Sequence, residues 1–304
     1  MPEEMRQVFA ASGTIHVFAI SGLHIALVTS ILIFFVRMAG LPRLRWGCAV
    51  VPLLVIYMLV TGARPSAVRA CLMASCVLMA LPLGRKPNVL AALLGTLLAL
   101  HFWQPSLLFN AGSVLSFSIV AGLVVLVPHF SEALRKALGC APLQTDARLL
   151  WAAGSAAQAT RAEWSAAARR YAADALAVSL AAWLVSIPLT GYYFGRVALG
   201  GLLANLIVVP CAFLVVTAGF IGMLAGLLSP WVAVCFNHAA GFFTMAMVRT
   251  AEATASVKAL ALETGTWSGW AVALWFAAIA AYAAWARKRK PDGLEWLGGV
   301  APQI

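Results

Sequence analysis

From residue 15 onward, the chain is a succession of long apolar stretches separated by short polar turns. A helix needs about 17–25 mostly apolar residues to cross roughly 30 Å of hydrocarbon. Stretches near that length occur at 15–38, 46–61, 66–83, 89–103, 112–130, 171–194, 231–248 and 267–285. A further stretch, 197–228, is longer than one straight helix requires and contains Gly200, Gly201, Asn205 and Pro210, so a broken or kinked helix is predicted there. The pattern predicts an all-α fold, a polytopic transmembrane helical bundle of about nine spans. The short alternating segments of a β-barrel are not seen. Residues 1–14 read as a short extracytoplasmic lead-in at the surface, 15–286 as the transmembrane domain and 287–304 as a basic cytoplasmic tail.

Basic residues near span ends mark the cytoplasmic side. Arg37, Arg43 and Arg45 follow the first span, which places that loop inside. Alternation then puts Arg85 and Lys86 inside, followed by Arg135, Lys136, Arg148, Arg161, Arg169 and Arg170, and finally Arg287 to Lys290. All basic clusters fall on one side, so the N-terminus is predicted outside and the C-terminus in the cytoplasm. Within the loop 131–170, Leu150, Ala157, Trp164 and Tyr171 recur every seven residues, and this apolar stripe predicts an interfacial helix near 147–170 on the cytoplasmic face.

Composition removes the soluble alternative. Hydrophobic residues make up 63% of the 304 and charged residues only 10%, with a mean hydropathy of +0.93, against about 25% charged in ordinary soluble domains. Lys and Arg number 21 against 10 acidic residues, a net charge of +11. Enrichment of cytoplasmic loops accounts for such an excess, and a basic surface also attracts phosphates; composition does not separate the two. The six cysteines show no metal-ligand spacing and read as small core residues.

Polar groups inside apolar spans then carry the candidate chemistry. His16, Ser21, Gly22 and His24 lie in the first span, with Ser21 and His24 three apart on one helix face. Such groups either hydrogen-bond between helices, with Gly22 permitting close approach, or face a water-filled path. The turn from Thr61 to Ala70 carries Arg64 and, about one helical turn into the third span, Arg69. Arg69 either snorkels to the outer interface or lines a path for an anionic substrate. Ser113 and Ser116 share a face of the fifth span, a spacing that usually marks helix packing. Asn205 sits beside the predicted break, where exposed backbone dipoles line cavities. His101 and His129 read as interfacial residues near span ends, and Asn237 with His238 forms one more polar pair.

The segment containing His16 and the run Ala19-Ile20-Ser21-Gly22-Leu23-His24 resembles the first signature of the ComEC competence family, the inner-membrane DNA-uptake channels of natural transformation. Thr61-Gly62-Ala63, Pro65-Ser66 and Val68-Arg69-Ala70 are similar to its second signature, and Gly84-Arg85 to its following basic turn. Gly112 with Leu115-Ser116-Phe117 resembles its GFxLSF stretch, although Val114 replaces the usual polar residue, and Ala204-Asn205-Leu206 before Pro210 resembles its ANLxxxP element. Full members also carry an extracellular OB-like domain and many a metallo-β-lactamase-like nuclease domain; no HxHxDH-type motif occurs here, so the expectation is the membrane channel module by itself.

The resemblance implies passage of single-stranded DNA across the bacterial cytoplasmic membrane, with His16, Ser21, Gly22, His24, Arg64, Arg69, Ser116 and Asn205 along the path. It implies neither catalysis nor a cofactor or metal. The expected partners are a DNA receptor, a cytosolic motor, separately encoded OB-like and nuclease domains, and further copies of the chain. A motor is needed because no phosphate-binding G-x-x-x-x-G-K-[ST] loop is present. Two competing readings stand beside this one: a small-molecule transporter or flippase, which predicts an internal repeat, and an intramembrane hydrolase using Ser21 and His24.

Overall fold

The computed structural model describes residues 3–17, 22–106, 110–140, 161–257 and 261–289. Among them are ten α-helices: α1 Glu3–Ala11, α2 Gly22–Met38, α3 Trp46–Val60, α4 Pro65–Ala80, α5 Val89–Trp103, α6 Ala111–Ala137, α7 Arg161–Phe194, α8 Gly201–Gly226, α9 Pro230–Ser256 and α10 Gly269–Arg289. Six helical segments are long and apolar enough to cross a membrane: Arg43–Val60, Ala111–Ala137, Ala166–Phe194, Gly201–Gly226, Pro230–Ser256 and Gly269–Ala286. The other three apolar helices, α2, α4 and α5, have 17, 16 and 15 residues, short for a perpendicular crossing. Large apolar side chains face outward all round the bundle, Leu98, Leu203 and Phe242 among them, as they do where the solvent is hydrocarbon. Highly exposed aromatics cluster at helix ends, Phe102 and Trp103 on α5, Trp231 on α9 and Trp270 on α10, the placement of interfacial anchors.

Hydroxyls within the helices find partners in their own backbone. Thr29, Thr217, Thr244, Thr250 and Thr254 each donate to the carbonyl four residues earlier, at 2.7–2.8 Å. Polar side chains therefore enter the apolar helices without a water partner.

Three bodies of packing emerge. Ile25, Val50, Leu54, Ala67 and Cys71 join α2, α3 and α4. Leu126, Ala181 and Val185 join α6 to α7, with Phe276 and Ile279 of α10 against them. Val17, Val208, Ala212 and Met247 join the 3-10 turn Ile15–Val17 to α8 and α9. The α6–α7 pair is antiparallel, since Gly122 lies against Val185 and Arg135 reaches Asp174. That last contact is a two-pronged ion pair, Nε to Oδ1 at 2.9 Å and Nη2 to Oδ2 at 2.6 Å.

Four sequence expectations are revised. The fold is not purely α-helical: β1 Arg196–Ala198 pairs antiparallel with β2 Ala261–Glu263, with Arg196 opposite Glu263 and their side chains 3.1 Å apart. The break expected within 197–228 falls at its start, where β1 gives way to α8 at Gly200, and α8 then runs unbroken through Pro210. The lead-in is not merely superficial, because α1 packs on α9 and Phe9, Ser12 and Thr14 are fully buried. Burial of these hydroxyls is tolerated because they bond each other at 2.7 Å and Ser12 also donates to the Phe9 carbonyl. Finally, the polar loop is narrower than read: α6 continues to Ala137 and α7 already begins at Arg161, so the 161–170 part of the expected interfacial helix is the first part of α7. Residues 141–160, which hold the rest of that helix, and residues 290–304 of the tail lie outside the described residues.

Helix association in lipid relies on close packing of small residues. At Gly47 of α3, a Cβ would stand 2.5 Å from the Leu78 carbonyl oxygen of α4, a backbone atom that cannot swing aside. Gly47→Ala is expected to lower the stability of the purified protein by about 1–3 kcal/mol, read as an earlier unfolding midpoint in detergent. An unchanged midpoint would show that α3 and α4 do not meet this closely.

Candidate functional site

The buried cation Arg69 is the centre of the site. Gly62 (φ 86°) and Ala63 (φ 46°) reverse the chain after α3, and Pro65 opens α4 with its fixed φ at the first position. Arg64 lies just before α4 and is exposed, whereas Arg69, one turn further in, is only 5% exposed. Its Nη2 donates to the Gly112 carbonyl at the start of α6, 3.0 Å away. Its Cζ lies 5.9 Å from the Phe117 ring centroid, within cation–π range. Nε has no partner, and among the described residues no carboxylate pairs with this guanidinium. A charge out of water usually costs several kcal/mol unless paired. Here a carbonyl and an aromatic face replace the counter-ion.

Phe117 was legible only as part of a motif, and His101 as an interfacial residue. The two rings lie 5.8 Å apart, so His101 of α5 and Arg69 of α4 both meet Phe117 of α6. A basic residue and an aromatic on separate spans give no local spacing signal, which is why periodicity alone does not pair them. Ser116 immediately precedes Phe117 and is half-buried.

The first-span residues divide between two neighbours. Gly22 opens α2, and a Cβ there would stand 3.6 Å from the Ala70 Cβ of α4, beside Arg69. His24 is about 200° further round the helix and lines a narrow crevice with Leu27, Ala212, Phe213 and Val216, between α2 and α8. Further along the same two helices, the Phe35 and Phe220 rings are 6.3 Å apart. His16 lies in the 3-10 turn and is exposed. Ser21 lies outside the described residues.

Asn205 is half-buried, one turn into α8, and its Oδ1 is buried without a partner. It precedes by one turn Val208, which packs on Val17, so Asn205 and His16 belong to the same end of the α8 contact. The close approach there depends on Gly13 (φ 74°), where a Cβ would meet the Ala198 Cβ at 2.8 Å and the Gly201 Cα at 3.2 Å.

The sequence-predicted residues thus form two groups. Gly22, Arg69 and the start of α6 form one; His16 and Asn205 form the other; His24 lies on α2 between them. Contacts run α2 to α4, α4 to α6, α6 to α7 and α7 to α8, and the α2–α8 crevice closes the circuit. Among the described residues no group of three or more His, Cys, Asp or Glu side chains could hold a metal.

Comparison with known families matches the Competence protein family over residues 1–289. The chain belongs to this family. A curated relative within reach of the family is ComE operon protein 3 of Bacillus subtilis (strain 168), 28% identical over 130 residues. That alignment covers 43% of this chain and only 17% of the relative's length. No solved structure matches. Membership, together with the apolar helices, makes this a membrane protein with a competence-related role.

For this competence protein, the energetics of Arg69 make a specific prediction. Replacing buried ionic groups by apolar side chains of similar volume is often neutral or stabilising, so Arg69→Met should unfold at the same or a higher temperature in detergent. A clear drop would mark Arg69 as a structural brace.

Proposed function

We propose that the chain forms a DNA-uptake channel of natural transformation that passes single-stranded DNA across the bacterial cytoplasmic membrane. The observation that carries this reading is the buried Arg69, with no carboxylate partner among the described residues, at a junction of helices within a closed circuit of contacts. A phosphodiester leaving water loses its hydration, and a cation with an unfilled donor is the group that compensates the loss. Phe117, beside it, offers a face on which a base can stack. Family membership supplies the rest of the argument, since a competence role calls for DNA as the cargo.

On this reading nine spans cross the bilayer, with the N-terminus outside and the C-terminus in the cytoplasm, and α2, α4 and α5 cross by tilting or by thinning the bilayer locally. Arg64 sits at the outer mouth. His16, Ser21, Gly22, His24, Ser116 and Asn205 line the path with Arg69, and none of them performs covalent chemistry. A DNA receptor delivers the strand, a separate cytosolic motor pulls it, and OB-like and nuclease functions come from other polypeptides or other segments. The crevice at His24 is far narrower than a nucleotide, so passage requires α2 and α8 to part.

Two measurements test this. Arg69→Gln should reduce entry of labelled DNA into the cytosol, with protein level and surface binding of duplex unchanged; normal entry would remove Arg69 from the path. In a variant with the six native cysteines replaced, Leu27→Cys with Val216→Cys joined by a short reducible cross-linker should block uptake, and reduction should restore it. Undiminished uptake in the cross-linked protein would place the path elsewhere.

A further inference from the structure

A second site lies away from this circuit, in a groove of about 450 Å³ between α8 and α9. Leu203, Ala204 and Ile207 line it from α8, and Arg249, Thr250, Ala253 and Thr254 from α9. Ala204 is buried beneath it, while Leu203, Ile207 and Ala253 stand exposed at its walls. Thr250 and Thr254 spend their hydroxyl protons on their own helix, so they offer the groove oxygen acceptors and methyl groups. α8 and α9 run antiparallel, with Val208 and Met247 in one cluster, so Arg249 stands level with Ile207, while Leu203 lies nearer the start of α8.

The depth of Arg249 follows from helix geometry. α9 has 27 residues, about 40 Å at 1.5 Å per residue, against roughly 30 Å of hydrocarbon. Arg249 stands seven residues before the helix ends at Ser256, about 10 Å from that end. A long cationic side chain at that depth extends to the headgroup layer. Beside it is Glu252, whose Oε2 lies 3.4 Å from Arg249 Nη1. The pair is exposed and weakly held, so its two charges are available to a ligand that presents the opposite two.

We infer that this groove seats one phospholipid with an ethanolamine phosphodiester headgroup. Its phosphate pairs with Arg249, its ammonium with Glu252 just outside the groove, and an acyl chain runs inward past Ile207. A cation and a carboxylate side by side match a dipolar headgroup better than a purely anionic one, and a carboxylate acceptor favours an ammonium bearing N–H donors over a quaternary one. This site stands independently of the DNA-channel reading.

The test uses the full chain purified in detergent and native mass spectrometry with phosphatidylethanolamine, phosphatidylcholine or phosphatidylglycerol added at equal concentration. The wild type should retain phosphatidylethanolamine about two- to fivefold more than either of the others, the range of one exposed ionic contact. Arg249→Gln should lower retention of all three, and Glu252→Gln should erase the preference for ethanolamine over choline. Both side chains are solvent- or lipid-facing, so unchanged elution and unfolding midpoints confirm that the variants are folded. Equal retention of the three lipids by the wild type, or retention unaffected by Arg249→Gln, would overturn the assignment.

Discussion

Hydrocarbon offers no partner to a peptide N–H or C=O, and each one left unpaired there costs several kcal/mol. The architecture of this chain answers that demand element by element. Helices satisfy their own backbones, and threonines inside them return their protons to carbonyls of the same helix. Where the chain leaves helical form between α7 and α8, the backbone pairs as a short β ladder, with Trp183 Nε1 donating to the Ala198 carbonyl and the Gly195 carbonyl accepting from Thr264. Backbone at this end is thus paired, although β2 itself stands exposed. Among the buried side-chain atoms of the described residues, Arg69 Nε, Thr96 Oγ1 and Asn205 Oδ1 have no hydrogen-bond partner. Two of those three belong to residues that the sequence alone singles out as path-lining, which ties unmet polarity to the proposed function.

How much of this was legible in the sequence depended on the range of the interaction involved. Long apolar segments such as 231–248 and 267–285 announced α9 and α10, because a helix in lipid is specified by its own residues. The ends were less legible: α6 continues past Phe130 to Ala137 and α9 past Val248 to Ser256, since charged and small residues that mark a loop by composition are good helix formers once outside the hydrocarbon. Arg135 illustrates the point: by sequence it marks only the cytoplasmic side, whereas in the structure its guanidinium reaches across to Asp174 of α7. The β ladder was invisible because each strand has three residues, and its pairing joins positions more than sixty apart.

At the candidate site the residue types were legible and their grouping was not. Arg69 stood out because a cation one turn inside an apolar helix has few innocent explanations. Its neighbours Gly112, Phe117 and His101 lie on two other helices, so nothing in local spacing could connect them. Gly22 and His24, two apart in sequence, turn out to serve different neighbours, α4 and α8, as 100° per residue requires. The lead-in was misread for the converse reason. Ser12 and Thr14 look like surface residues in isolation, yet as a mutually bonded pair they enter the protein interior at little cost.

The long antiparallel pair α6–α7 has a mechanical corollary. With 34 residues, α7 measures about 51 Å at 1.5 Å per residue, some 20 Å beyond the hydrocarbon thickness, and the Arg135–Asp174 clamp ties it to α6 well away from the end that carries Gly112. Pro128 of α6 and Pro188 of α7 each remove one backbone hydrogen bond along the pair, so each helix can bend on the far side of the clamp. The projecting end of α7 is thereby tethered, through a jointed helix, to the carbonyl that holds the buried guanidinium.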